Sequence, residues 1–154
     1  CEYRARNREG RYRWVEASGR VEFSPDGAPF RFAGIAVDIE GRRALEAEYA
    51  GPPSRFVEAA GVRLHVRDTG PEDAPAVLLL HGFGASLHTW EEWARLLEAG
   101  FRVVRLDLPG FGLTGRLPND NYSIDRMLAL VDALMDTLGV ERFAIAGVSY
   151  GGLV

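Results

Sequence analysis

The chain has 154 residues, 47% of them apolar, so its composition supports a packed core and its length permits one domain or two small ones. Its net charge of −4, with every basic residue an arginine, argues against nucleic acid as the main partner. A single cysteine, Cys1, excludes an internal disulfide framework and any Cys-rich metal site, and no apolar run approaches the roughly 20 residues that span a bilayer. The polar, charged start holds no signal-peptide core, so a cytoplasmic location is the default expectation. The chain begins at Cys1 and stops at Val154, just after a glycine pair, and reads as an internal piece of a longer protein.

Residues 1–40 read as short strands and turns. Glu9-Gly10 and Pro25-Asp26-Gly27 are turn signals. Tyr12–Val15, Arg20–Phe23, Phe30–Phe32 and Gly34–Ile39 have strand composition, which predicts an antiparallel meander of about three strands. Residues 42–49 are good helix formers. Gly51-Pro52-Pro53-Ser54 breaks the chain, since proline lacks an N–H and disfavours helix before it. The expected domains are therefore 1–50 and 51–154.

The second part has a different rhythm. Phe56–Glu58 and Val62–Arg67 flank Ala60-Gly61 as a hairpin, with Val62, Leu64 and Val66 on one face and His65 on the solvated one. Ala76–Leu80 is a continuous apolar run, the pattern of a strand buried on both faces. A helix over 89–98 is expected, capped by Thr89, with Trp90, Trp93, Ala94 and Leu97 facing the core. His88 falls at its start as a loop or cap residue. Phe101–Leu106 is a second strand. Ser123 caps a second helix that carries Met127, Val131, Leu134 and Leu138 on one stripe and stops at Gly139. Phe143–Val148 is expected as a third buried strand. Alternation of strands and helices predicts an α/β fold: a hairpin, then parallel strands with crossover helices.

The third strand runs into Gly147-Val148-Ser149-Tyr150-Gly151-Gly152. This is G-x-S-x-G at a strand end, where a sharp strand-to-helix turn lifts the serine above the sheet. Glycines two before and two after the serine remove side chains that would collide there. A lone G-x-S-x-G is weak, but two more glycine-bearing loops end the preceding strands: His81-Gly82-Phe83-Gly84 and Asp107-Leu108-Pro109-Gly110-Phe111-Gly112. Three such loops at the carboxyl ends of parallel strands build a ligand crevice.

In this order the segments over residues 55–154 resemble the α/β-hydrolase family. The resemblance implies Ser149 as nucleophile, with the Phe83 and Tyr150 N–H groups as the oxyanion hole. His81, Gly82, Gly147 and Gly151 would be structural parts of the motif, with His81 supporting the loop and Asp107 anchoring its own. No metal and no cofactor is implied for this part. The substrate would be a small ester-like molecule. Serine at the elbow favours ester, lipid, amide or carbon–carbon bond hydrolysis, whereas aspartate would suggest an epoxide hydrolase or haloalkane dehalogenase. The family places its acid and its catalytic histidine after the elbow, so this stretch by itself is expected to be inactive.

Residues 1–45 resemble the C-terminal half of a PAS sensor domain. The resemblance rests on Glu2-Tyr3-Arg4, Gly10–Val15, Asp26-Gly27, Gly34-Ile35 and the junction Asp38-Ile39-Glu40-Gly41-Arg42-Arg43. It implies a sensory ligand or partner of undecided identity. The junction lacks the threonine of the D-I-T-x-R-K pattern and has a glycine inserted, so a rigid exit helix is open to question. Two functions follow: a serine hydrolase fused to a sensory module, or a PAS-type signalling protein with a non-catalytic hydrolase-like scaffold. An artificial join of two genes is a third reading.

Overall fold

The computed structural model describes residues 2–27, 29–117 and 120–154; Cys1 lies outside them. The chain divides into two compact units, residues 1–47 and 48–154. In the first, strands β1 (Glu2–Arg6), β2 (Tyr12–Phe23) and β3 (Pro29–Asp38) form an antiparallel meander. Both expected turns are present. Gly10 and Gly27 sit at φ 82° and 84°, a region open to glycine, and the Asn7 side chain accepts from the Glu9 and Arg11 amides. β2 is one strand where composition marked two short runs. Its Ser18 and Gly19 pair in register with Ile35 and Gly34, so the ladder passes through the small residues without a break.

Helix α1 (Glu40–Tyr49) starts at the junction despite Gly41. The Asp38 carboxylate accepts from the Glu40 amide at 2.9 Å, which satisfies an end donor. Ile39 is buried and donates its amide to the Trp14 carbonyl. Arg43 lies 3.9 Å over the Trp14 ring, while Arg42 pairs with Glu16 at 3.0 Å and also with Glu2. The missing threonine is thus replaced by side chains that tie the first helical turn to β1 and β2. These pairs are partly exposed, so each is worth at most about 1 kcal/mol.

The second unit is built on a five-stranded sheet ordered β4-β5-β7-β6-β8. β4 (Ser54–Ala59) and β5 (Val62–Thr69) form the expected hairpin. Ala60 and Gly61 both take positive φ, as a two-residue hairpin turn requires. β6 (Ala76–Leu80) is parallel to β7 (Arg102–Leu106) on one side and β8 (Phe143–Gly147) on the other. Between them run α2 (Glu91–Leu97) and α3 (Ile124–Thr137).

Alternation along β6 decides the layers. Val77 and Leu79 pack with Val103, Ala94, Trp90 and Leu97 of the α2 layer. Leu78 and Leu80 pack with Val104, Leu106 and the Met127, Leu130, Val131 and Leu134 stripe of α3. The α/β expectation therefore holds, with a helix layer on each face.

Three local expectations are corrected. Thr89 caps nothing: a 3₁₀ turn over Leu87–Trp90 leads into α2, whose N-cap position is Trp90. The tighter turn shifts the buried stripe to Leu87, Trp90, Ala94 and Leu97, which leaves Trp93 60% exposed rather than in the core. By contrast, Ser123 accepts from the Arg126 amide and caps α3 as expected, and Gly139 at φ 69° ends it. β8 is not buried among the described residues: there it pairs with β6 alone, and Ile145 is 53% exposed.

Candidate active site

The strand order reverses at β6. The crossover through α2 goes to β7 on one side, and the crossover through α3 passes to β8 on the other. The crevice at such a switch point opens at the carboxyl ends of the strands. The loops that follow β6, β7 and β8 contain His81–Gly84, Asp107–Gly112 and Ser149–Gly152.

Ser149 stands at φ 53°, between Val148 in extended conformation and a helical turn over Ser149–Gly152. A non-glycine residue there is strained by roughly 1–3 kcal/mol, so surrounding structure must hold it. The glycines explain how. A Cβ at Gly147 would overlap the Gly151 carbonyl, and one at Gly151 would overlap the Leu80 carbonyl and lie 2.6 Å from that of His81. The turn is thus pressed against the end of β6, and the Ser149 side chain is left exposed.

The loop after β6 meets the elbow directly. A Cβ on Gly82 would stand 3.3 Å from the Ser149 Cβ. His81 is fully buried and both ring nitrogens are used. Its Nε2 accepts from the Leu108 amide at 2.9 Å, so Nδ1 carries the proton and donates to the Gly82 carbonyl at 2.7 Å. The Ala85 amide donates to the same carbonyl at 3.3 Å. In a planar trans peptide the C=O and the next N–H point in opposite directions, so fixing the Gly82 carbonyl also fixes the Phe83 N–H. Tyr150 is the second residue of the helical turn, where amides lack partners within the helix. The side chains add an aromatic wall: the Phe111 ring lies 5.3 Å from Phe83 and 6.1 Å from Tyr150, and Phe83 is 81% exposed.

Asp107, at the end of β7, is buried and saturated. One carboxylate oxygen accepts from the Leu87 amide at 2.7 Å; the other accepts from the Leu113 amide and from His65 Nδ1, both at 2.8 Å. Gly112, at φ 50°, has no room for a Cβ beside this carboxylate. Burial alone would push the Asp107 carboxyl up. The His65 hydrogen bond and then the two amides outweigh it and hold the carboxyl below its ordinary value. A depressed folded-state value means the stabilisation is present above the unfolded value, near 3.9, and is lost as pH falls through the folded one. The melting-temperature gap between the protein and Asp107→Asn should therefore be constant from pH 5 to 7 and shrink below about pH 4. A gap independent of pH would show that the charge does not matter.

His65 is the residue that alternation misplaced. It is fully buried rather than solvated, because both faces of β5 are covered: Leu64, His65 and Val66 are all inaccessible. The sequence of the strand still alternates, so its period-2 signal assigns His65 to the solvated face and gives no sign of its partner 42 residues away. Among the described residues no cluster of three or more His, Cys, Asp or Glu side chains could hold a metal ion, and no helix is long and apolar enough to cross a membrane.

Residues 75–154, from β6 through the elbow, match the family model described as the alpha/beta hydrolase fold. The chain belongs to that family. Residues 1–36 match the PAS fold model. A 2-hydroxy-6-oxononadienedioate/2-hydroxy-6-oxononatrienedioate hydrolase of Escherichia coli is 36% identical over 107 residues, covering 64% of this chain and 37% of its own. Human epoxide hydrolase 4 is 31% identical over 99 residues, covering 64% and 27%. Among solved structures, an epoxide hydrolase from Vigna radiata superposes with a TM-score of 0.62 at 33% identity, over 66% of this α/β-hydrolase chain and 33% of that one. A bacterial membrane phospholipase A does so with 0.63 at 34% identity, over 73% and 36%. The chain thus spans between 27% and 37% of the length of these four relatives.

Proposed function

We propose that this chain supplies the nucleophile and the oxyanion hole of a serine hydrolase that cleaves ester or related acyl and carbon–carbon bonds in small molecules. The observation that carries the reading is the exposed Ser149 at φ 53°, over-determined by Gly147 and Gly151 and packed against Gly82. Such strain is retained where a side chain must be aimed. In the reaction, Ser149 Oγ attacks the carbonyl carbon, and the negative charge on the tetrahedral oxygen is met by the Phe83 and Tyr150 N–H groups, each worth on the order of 3 kcal/mol. The serine proton goes to a base. His81 cannot serve, since its Nε2 already accepts from Leu108. The family resemblance puts the acid and the basic histidine later in the sequence than the elbow.

Epoxide hydrolases among the relatives share the fold, but the nucleophile's chemistry favours acyl substrates for this chain. A carboxylate that opens an epoxide leaves an ester, which water can cleave. A serine that opens one leaves an ether, which it cannot. The E. coli relative and the phospholipase are more compatible precedents. The match of residues 1–36 to the PAS fold favours a sensory ligand or partner for the first unit. It also supports the second reading, a signalling protein in which the hydrolase-like part is scaffold. Covalent labelling of the full-length protein by a fluorophosphonate, lost in Ser149→Ala, separates the two: a catalytic elbow labels and a scaffold does not.

A further inference from the structure

We infer that His65 is a positioning residue for the oxyanion loop: through the Asp107 carboxylate it fixes the segment 81–87 that presents the Phe83 N–H. The inference rests on the serine-hydrolase reading above, and concerns a residue that reaches that loop through the Asp107 carboxylate.

The backbones of His65 and Asp107 are tied first. The Asp107 amide donates to the His65 carbonyl at 3.0 Å. The His65 amide donates to Thr114 Oγ1 at 2.9 Å, and that hydroxyl donates to the Asp107 carbonyl at 2.6 Å. The side-chain bond is added on this fixed base. Asp107 stays ionised, so it accepts, and His65 Nδ1 carries the proton it donates. His65 Nε2 is buried and has no hydrogen-bond partner among the described residues, so within them the ring bonds Asp107 alone. A buried imidazole kept for a single donor is a costly way to fill space; leucine would do that better.

The bond controls how the carboxylate is turned. Asp107 has two oxygens and three donors. Leu87 holds one oxygen, and Leu113 and His65 share the other. Without the His65 donor, the second oxygen keeps only Leu113, a residue six positions along its own loop. The plane of the carboxylate is then held less firmly, by one amide on each oxygen, and the Leu87 amide faces a less fixed acceptor. Leu87 closes the loop that starts at His81, whose ring fixes the Gly82–Phe83 peptide at the other end. The Phe83 N–H therefore hangs between two fixed points, and His65 secures one of them. An oxyanion donor acts by being in place before charge develops, so small displacements lower turnover and leave binding intact.

The chemistry gives a sharp test in the full-length protein. Asparagine places an amide N–H as many bonds from Cα as Nδ1 stands; glutamine places it one bond further. In p-nitrophenyl acetate hydrolysis, His65→Leu should lower kcat by about 100-fold with KM within about 2-fold, close to the loss of one oxyanion donor. Amide hydrogen exchange across residues 82–88 should rise by about 10-fold, a local opening. His65→Asn should restore both to within about 3-fold of the parent, and His65→Gln should not. Should the leucine variant fail to fold, the contrast between Asn and Gln carries the test.

Unchanged kcat in His65→Leu, equal rescue by Gln and Asn, or lost turnover with unchanged exchange would each overturn the inference. Ser149→Ala is the separate control. Turnover retained there removes the serine reading, while exchange in the His65 variants still decides whether the tether exists.

Discussion

Ser149→Ala in the full-length protein is expected to lower kcat for an activated ester by about a million-fold while KM changes little. The magnitude follows from what is removed and what stays. The Phe83 and Tyr150 N–H groups are backbone atoms and survive the change. His81 still orients the Gly82–Phe83 peptide, and the aromatic wall of Phe83, Phe111 and Tyr150 is untouched. Substrate binding and the electrostatic part of catalysis therefore remain, and these leave a residual acceleration of about a thousand-fold over water. What disappears is the covalent route. Single-turnover kinetics should show no burst in the variant, and mass spectrometry should find no acylated protein. A kcat reduced only several-fold would mean that Ser149 is not the nucleophile and that the strained turn serves another purpose.

The second large effect is structural. Gly151→Ala is expected to destabilise the second unit by about 3 kcal/mol or to prevent its folding, at or beyond the upper end of overpacking costs. Gly151 is not in a left-handed conformation, so its glycine is required by space alone. The added methyl would meet the carbonyl oxygens of Leu80 and His81, which are backbone atoms of the strand end that carries the His81–Gly84 loop. Neither can move without pulling β6 and the loop with it. Gly84→Ala is the informative contrast. Its φ of 69° strains an alanine, yet nothing lies within 4 Å, so a cost of about 1 kcal/mol is expected. Denaturant melts of both variants check the pair. Equal costs would mean that the elbow can relax away from β6.

The elements that were legible were those whose signal is local or periodic. The α3 stripe, its Ser123 cap and its Gly139 stop are all contained in one stretch of sequence. The elbow glycines were legible because close approach of backbone to backbone leaves a residue-type requirement at fixed spacing. What could not be read depended on neighbours distant in sequence. Trp93 carried a helical phase that a 3₁₀ turn at Leu87–Trp90 displaced. Phe143–Gly147 has the composition of a buried strand, but burial depends on what lies on both sides, and among the described residues β6 alone pairs with it. His65 sits in an alternating strand, and only the tertiary cover over its second face makes it a partner for Asp107.

The conformation of Ser149 has a consequence for how this protein can change. Glycine would take φ 53° without the steric strain of roughly 1–3 kcal/mol that serine bears there, offset in part by a more flexible unfolded chain. On the proposed serine-hydrolase reading, backbone comfort and chemistry thus pull on this position in opposite directions. A serine at this bend is therefore the costlier choice for the backbone, as a role for its hydroxyl under the proposed function would require.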